Sequence, residues 1–164
     1  MLNFQHIGLN LNNHISDHIK WMNMALNEAK KGLKIGEVPI GAVMVMNGEV
    51  IAKSYNSPIR DSDPSAHAEL KVIRKSFEKI NNYRLVGADL YVTLEPCTMC
   101  YGAISHARLS NVFYGARDPN TGSCGTCQDF SKSKCFNHYP NIFGGILEAE
   151  CSNLLKNFFR AKRN

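Results

Sequence analysis

Two short segments of the sequence carry side chains that bind metals. His67 and Glu69 form a His-Ala-Glu tripeptide, and Cys97 and Cys100 lie in a Pro-Cys-Thr-Met-Cys pentapeptide. Cysteines three positions apart share one face of a helix, and the positive end of a helix dipole favours thiolates in its first turn. Two thiolates and one imidazole leave a fourth zinc position open for water, as in catalytic sites. The spacing therefore predicts zinc at His67, Cys97 and Cys100.

Glu69 indicates what the open position would be used for. Zn²⁺ with two thiolates and a neutral imidazole has no net charge, so we expect it to acidify water less than an all-histidine site does. A nearby carboxylate could accept the water proton and return it to a leaving group. We therefore predict that Glu69 is the catalytic proton shuttle. The alternative is a closed structural zinc site, with a fourth ligand from Cys124, Cys127, Cys135 or His138 and no role for Glu69 beyond a helix start.

The elements that must position these residues alternate between helices and strands. Apolar periodicity and turn signals predict helices over 17–31 (with Ser16 as N-cap), 66–80 and 96–107 and after Gly144-Gly145, strands over 39–46, 49–55, 88–94 and 111–115, and irregular chain over 57–65 and 117–141. Such alternation implies a sheet covered on both faces. We predict an α/β fold, specifically a three-layer α/β/α sandwich with a central mixed sheet of about five strands.

Length and composition exclude several classes of protein. The chain has 164 residues, of which 44% are hydrophobic and 20% charged, which is typical of one globular domain and not of disorder. We expect a single domain over 16–164, with 1–15 an N-terminal extension of unknown role. No apolar run reaches the roughly 18 residues of a membrane span. Residues 1–15 contain no Lys or Arg and no continuous apolar stretch, so we expect a cytoplasmic protein without a secretory signal.

Positive charge is concentrated at the C-terminus. The formal net charge of the chain is +5, and residues 151–164 contain Lys156, Arg160, Lys162 and Arg163 but no acidic residue. Such a basic segment suggests an anionic partner. Its alternative explanation is a solvated helix end.

A string of sequence stretches resembles one protein family. The stretches are EVPIGAV (37–43), Asn56, DPSAHAE (63–69), NYRL (82–85), LYVTLEPCTMC (90–100), GARD (115–118), GIL (145–147) and FFRAKR (158–163). Together they resemble the zinc-dependent cytidine and deoxycytidylate deaminase superfamily, whose signature is H-x-E with P-C-x-x-C, and especially its bacterial tRNA adenosine deaminases. The resemblance extends from about Trp21 to Arg163, nearly the whole chain.

The resemblance implies a reaction and a partner. One Zn²⁺ per chain would be held by His67, Cys97 and Cys100, and Glu69 would move protons. A zinc-activated water would convert adenosine to inosine at the wobble position of a tRNA anticodon, on a homodimeric enzyme. The residues alone do not choose adenine, so a deaminase of free guanine, cytosine or deoxycytidylate stays open. A non-catalytic, zinc-stabilised RNA-binding module is the alternative outside enzymes.

Candidate substrate contacts surround these motifs. The resemblance places the Asn56 amide on the target base and lines the pocket with Pro39, Ile40 and Leu94; the alternatives are a turn-capping Asn and ordinary core packing. Ala68 is a further candidate contact with the substrate or the bound water.

RNA contacts are predicted from the residue types at a strand end and in the last helix. Arg117 could reach a phosphate, and Asp118 could accept a ribose 2′-OH or only form a turn. Phe159 and Arg160 combine stacking with charge, which suits a single-stranded loop. These contacts would serve the tRNA anticodon loop.

Three cysteines depart from the deaminase pattern. Cys124, Cys127 and Cys135, with His138, have a spacing that would accommodate a second, structural zinc. A redox dithiol or unligated thiols are the alternatives, and we expect a single zinc per chain. Cys151 lies on the apolar stripe of the last helix, where a buried small residue is expected.

Overall fold

The computed structural model describes residues 4–163, and the side chains of residues 15–163. Its elements are α1 (Phe4–Lys34), β1 (Gly41–Met46), β2 (Glu49–Tyr55), α2 (Pro58–Asp61), α3 (Ala68–Ile80), β3 (Ala88–Leu94), α4 (Thr98–His106), β4 (Asn111–Ala116), β5 (Asn141–Gly144) and α5 (Glu148–Arg163). The predicted three-layer sandwich with a five-stranded mixed sheet is confirmed.

The sheet has the strand order β2-β1-β3-β4-β5. β1 is antiparallel to both β2 and β3, whereas β3, β4 and β5 are parallel. The β1–β2 hairpin turns at Asn47 and Gly48, whose φ angles of 53° and 76° are left-handed, as expected of an Asn-Gly turn. The parallel pairs place the carboxyl ends of β3 and β4 at one edge of the sheet, where α/β proteins form their sites.

Two apolar cores cover the two faces of the sheet. β1 alternates, with Ala42 and Met44 on one face and Val43 and Val45 on the other. The first pair packs with α3 and α4, and the second with α1 and α5. The core on the α1 and α5 face includes Trp21, the only tryptophan of the chain. The predicted metal-binding motifs lie at the starts of α3 and α4, so they belong to the opposite face from Trp21.

Some boundaries differ from the sequence-based prediction. α1 begins at Phe4, so the prediction of Ser16 as N-cap is wrong; residues 4–15 contain no proline that would stop the helix earlier. α2 occupies part of the predicted 57–65 loop. β5 was not predicted, because a four-residue edge strand has too short a pattern to recognise. Residues 1–3 and 164, at the ends of the two predicted domain segments, lie outside the described residues.

No helix within the described residues combines the length and the apolar character needed to cross a membrane.

Candidate active site

The starts of two helices carry the predicted zinc ligands. His67 is the N-cap residue of α3, and Cys97 is the N-cap residue of α4. Cys100 is one turn further along α4 and is fully buried, while His67 and Cys97 are half-buried. Both helices therefore direct their positive ends at the same ligand group, which favours thiolates there.

The ligand atoms lie at distances that suit zinc. His67 Nδ1 is 3.7 Å from Cys97 Sγ and 3.6 Å from Cys100 Sγ. Tetrahedral coordination with Zn–N of about 2.0 Å and Zn–S of about 2.3 Å puts nitrogen and sulfur about 3.5 Å apart. Among the described side chains of residues 15–163, these three form the only group of three or more His, Cys, Asp or Glu residues that could hold a metal. The ligand group fits a tetrahedral ion with one position left for another ligand.

The surroundings of the two thiols shift their pKa values in opposite directions. A hydrogen bond from Cys100, aided by His67, lowers the pKa of Cys97 to about 4. The same hydrogen bond and burial raise the pKa of Cys100. The Cys97 thiol therefore loses its proton more readily than the Cys100 thiol, and both must be deprotonated when a metal binds.

Glu69 lies in the first turn of α3, two residues after His67. Its side chain is buried, with 4% of the residue exposed. Burial raises the pKa of its carboxyl to about 7. Such a group exchanges protons readily near neutral pH, which is the property that a general acid–base needs.

Asn56 directly follows β2 and lies close to the residues that precede β1 and α3. Its backbone N–H donates to Ile40 O at 2.9 Å, and the next residue, Ser57, donates to Ala66 O at 3.0 Å. Asn56 is 5% exposed, and its Oδ1 is buried without a hydrogen-bond partner among the described residues. A buried amide oxygen normally has a partner, so this atom is suited to receive one from a ligand.

The predicted apolar pocket residues pack in the cores. Pro39 is buried, and Ile40 is half-buried against both apolar cores. Leu94 is half-buried against the α1 and α5 core, and Ala68 is fully buried in the α3 and α4 core. Core packing accounts for Ile40, Leu94 and Ala68, and contacts of all four residues with a substrate stay predictions.

Arg117 and Asp118 follow β4 at the same edge of the sheet as the metal ligands. Arg117 is exposed and forms an ion pair with Glu148 at 3.7 Å. The Asp118 carboxylate accepts from the backbone N–H of Asn120 and from the backbone and hydroxyl of Thr121. This geometry is the turn that was the alternative for Asp118. Its proposed ribose contact stays a prediction.

The end of α5 presents the predicted aromatic and basic side chains to solvent. Cys151 and Leu155 are buried and attach the helix to the sheet. Phe159 is 48% exposed, and the exposed Arg160 donates to Asn157 Oδ1 at 2.9 Å. Both are accessible for an RNA contact, which no further observation tests.

The four residues considered for a second zinc are not gathered into a ligand group among the described residues. Cys124 is buried, whereas Cys127 and Cys135 are exposed. Cys127 Sγ donates to Asn120 O at 3.3 Å. His138 Nε2 is 2.6 Å from Leu109 O, to which it donates.

Sequence reasoning missed a polar network that holds α2 beside α3. Asp61 accepts hydrogen bonds from Ser57 at 2.6 Å and from Arg60 and Lys71 at 2.9 Å each. These bonds, led by that from Ser57, lower the pKa of Asp61. A lone acid in a turn-rich loop gives no pattern that would reveal such a network. The network fixes the loop between Asn56 and His67.

Comparison with known proteins identifies the family. The family model of the MafB19-like deaminases matches residues 16–163. A tRNA-specific adenosine deaminase of Agrobacterium fabrum is 45% identical over 149 residues, which are 91% of this chain and 98% of that protein.

Solved structures agree with the sequence relatives. One is from studies of A-to-I editing by tRNA:A34 deaminases at the wobble position of transfer RNA; it has a TM-score of 0.79 and 47% identity, over 83% of this chain and 99% of that one. Guanine deaminase from Bacillus subtilis has a TM-score of 0.59 and 32% identity, over 88% of this chain and 92% of that one. The match is higher to the tRNA deaminase in both measures. The chain belongs to the MafB19-like deaminases, and within them to the family of tRNA-specific adenosine deaminases.

Proposed function

We propose that this protein deaminates adenosine to inosine at the wobble position of a tRNA anticodon. The observation that carries the chemistry is the group of His67, Cys97 and Cys100 at zinc-ligand distances, with the buried Glu69 two residues from His67. The substrate follows from relatives that cover nearly the whole chain and are named for it.

His67, Cys97 and Cys100 would hold one Zn²⁺. When bound, zinc supplies an acidified water as the nucleophile, since it can lower the pKa of water to about 7. The other groups of the site belong to the chain itself. A metal held by three protein ligands keeps one position open, which separates a catalytic from a structural site.

Glu69 would take the proton of the nucleophilic water and pass it to the base. Its carboxyl has a pKa of about 7 in the metal-free chain because it is buried. It therefore accepts and returns a proton at little cost near neutral pH. The last proton transfer would let the exocyclic amino group of adenine leave as ammonia.

Asn56 would orient the base. Its side-chain oxygen is buried without a partner among the described residues, so a donor on the edge of the base would satisfy it. Pro39, Ile40, Ala68 and Leu94 would supply the apolar surface around the base. Arg117, Asp118, Phe159 and Arg160 would contact the RNA outside it.

The proposal also covers the domain organisation, oligomeric state, location and partner of the enzyme. We propose one deaminase domain from residue 16 onward, which acts as a homodimer in the cytoplasm with tRNA as its partner. The matched family model starts at the same residue.

The test is a substrate comparison. Purified protein with zinc is incubated with unmodified total tRNA and, separately, with free adenosine, guanine, cytosine and deoxycytidylate. We expect inosine at one anticodon position and no ammonia from the free compounds. Ammonia from a free compound without inosine would instead support the second candidate, a free-base or nucleotide deaminase, which the likeness to guanine deaminase favours.

Glu69→Ala separates an enzyme from a zinc-stabilised RNA-binding module. We expect the variant to lose about 10²–10⁴-fold in activity, the usual contribution of a general acid–base, while its zinc content and tRNA affinity stay at the wild-type level. Full activity in Glu69→Ala would remove Glu69 from the mechanism. An inactive wild type that still binds zinc and tRNA would favour the binding module.

A further inference from the structure

Glu95 is a buried carboxylate that the proposed mechanism does not use. It follows β3, two residues before the zinc ligand Cys97, and is 2% exposed. Its Oε2 accepts from the backbone N–H of Asp118 at 3.1 Å, and its Oε1 accepts from those of Cys124 and Thr126 at 3.0 and 3.1 Å. None of the ion pairs formed by the described side chains of residues 15–163 includes Glu95. Backbone dipoles therefore satisfy its charge.

Gly122 makes room for this carboxylate. A Cβ atom at position 122 would lie 2.6 Å from Glu95 Cδ and Oε2 and 2.5 Å from Asp118 O. Real Cβ atoms do not approach other atoms so closely. The loop over residues 118–126 therefore closes around Glu95 only because residue 122 has no side chain.

The same loop is bound to the start of α4. Ser123 N–H donates to Pro96 O at 2.9 Å, and Gly122 forms an antiparallel bridge with Cys97. The hydroxyls of Thr98 and Ser123 are 3.0 Å apart. The loop thus contacts Glu95 on one side. On the other side it contacts the backbone of Pro96 and Cys97 and the hydroxyl of Thr98.

We propose that Glu95 is a positioning residue for the metal site: it holds the 118–126 loop against residues 96–98 and so fixes Cys97 Sγ at ligand distance from His67. The proposal rests on the proposed function only for the identity of the metal. Glu95 acts through the backbone of the loop and is not itself a metal ligand.

This role also accounts for the Cys-Gly-Thr-Cys segment at 124–127. Two of the three donors to Glu95 are its backbone N–H groups, at Cys124 and Thr126. The segment turns back on itself, since Gly125 N–H donates to Gln128 O and Cys124 pairs with Asp129. The segment contacts Glu95 through its backbone. Among the described residues, the exposed Cys127 thiol bonds only to Asn120 O, a contact that a serine hydroxyl can also make.

The test compares zinc affinity in matched variants. Glu95→Gln keeps the shape but places an NH₂ group against backbone N–H donors. We expect its zinc dissociation constant, measured by competition with a chelator, to rise about 10–100-fold, as for other groups that orient metal ligands. The thiolate-to-metal absorption band of the cobalt-substituted protein should also shift. Cys127→Ser in the same loop and Asp89→Asn at the other end of β3 should bind zinc as the wild type does.

A second variant reaches the same contact from the opposite side. Gly122→Ala should displace the Glu95 carboxylate and weaken zinc binding in the same direction. Gly102→Ala in α4 is its control, because a Cβ there meets nothing within 4 Å. Wild-type zinc affinity and an unshifted cobalt band in both Glu95→Gln and Gly122→Ala would overturn the proposal.

The wild-type protein provides a test that does not depend on any variant folding. If anchoring of the loop strengthens zinc binding, zinc must stabilise the loop by the same factor. Removal of zinc should therefore speed hydrogen exchange at the amides of Asp118, Cys124 and Thr126, but not at Gly87, whose N–H donates to Ser110 at 3.0 Å. Equal exchange at the three amides with and without zinc would refute the coupling.

These measurements are independent of the tRNA assay. If both variants bind zinc more weakly but the wild type does not edit tRNA, the role of Glu95 stands and the proposed substrate is refuted. If the wild type edits tRNA but both variants bind zinc as the wild type does, the proposed substrate stands and the role of Glu95 is refuted.

Discussion

Two residues of the candidate site, Glu69 and Asn56, bury polar groups in a way that lowers the stability of the folded chain. The Glu69 carboxyl is removed from solvent, and Asn56 Oδ1 has no partner among the described residues. A buried polar group without full compensation destabilises the folded state by about 1–3 kcal/mol. Such groups are expected where a ligand, and not the fold, supplies the missing interaction. Two predictions follow from this at the residue scale, one for each group.

Glu69→Gln should stabilise the metal-free protein at alkaline pH. Burial raises the pKa of Glu69 from 4.5 to about 7 in the folded chain. Its contribution to stability is therefore complete below pH 4.5 and is lost as the pH rises through 7. That pKa difference is equivalent to about 3 kcal/mol. Urea unfolding in a chelator should show the variant more stable than the wild type at pH 8 and similar to it at pH 4.5. A constant difference across this range would contradict the raised pKa.

Asn56→Ala should separate stability from activity. Because the alanine variant removes an oxygen that has no partner, we expect the free energy of unfolding to change by less than about 1 kcal/mol. The loss of a base contact should lower kcat/KM on tRNA at least about 10-fold. Denaturant unfolding and tRNA deamination measure the two effects. Ser57→Ala, which breaks the hydrogen bond to Asp61, is a control that should lower stability more than Asn56→Ala does.

The candidate reactive residues can be recognised in the sequence, but the residues that hold them in position cannot. His67, Glu69, Cys97 and Cys100 can be recognised because side-chain type and spacing define a zinc site. Glu95 and Asp61 cannot, because their partners are backbone N–H groups and loop residues whose positions depend on the whole fold. Asp118 was predicted to contact a ribose of the RNA or to form a turn. Its carboxylate caps a turn, a position that Asp favours.

At the scale of elements, long periodic segments were predictable and short ones were not. The ranges 49–55 and 88–94 coincide with β2 and β3, because runs of strand-forming residues between turn signals have strong patterns. β5 has only four residues and is mostly exposed, so pairing with β4 and not its own sequence makes it a strand. The metal site needs α3 and α4 to start at fixed points of this sheet.

Gly41→Ala should destabilise the protein through the contact between α1 and β1. A Cβ at position 41 would lie 2.0 Å from Ala25 O and 2.4 Å from Ala29 N. Because both atoms belong to the helix backbone, the helix must move, which costs about 1–3 kcal/mol or more. We expect thermal unfolding at least about 2–4 °C below the wild type. Gly102→Ala, which meets no atom within 4 Å, should unfold at or above the wild-type temperature.

At the scale of the whole molecule, charge predicts how RNA would be held. Replacement of Arg160, Lys162 and Arg163 by Gln removes three exposed cations of α5. Each lost phosphate contact on single-stranded RNA lowers the slope of log K against log salt by about 0.7, so the slope should fall by up to about 2. Replacement of Lys30, Lys34 and Lys79, also exposed, changes the net charge equally and should alter the slope less. An unchanged slope in the α5 variant would remove the basic helix end from RNA binding.

Trp21 and the proposed zinc ligands lie on opposite faces of the sheet. Indole fluorescence and zinc binding can therefore report separately on the folding of the two helical layers. Trp21, the only indole fluorophore of the chain, senses the layer formed by α1 and α5. The proposed zinc ligands come from the starts of two crossover helices of the other layer, α3 and α4. We therefore expect tight zinc binding only after both helices have docked. Stopped-flow refolding can follow indole emission and a zinc indicator in one sample. Zinc binding that precedes the change in indole emission would contradict this order. Zinc binding that lags behind the change in indole emission would give a separate time for the completion of each layer.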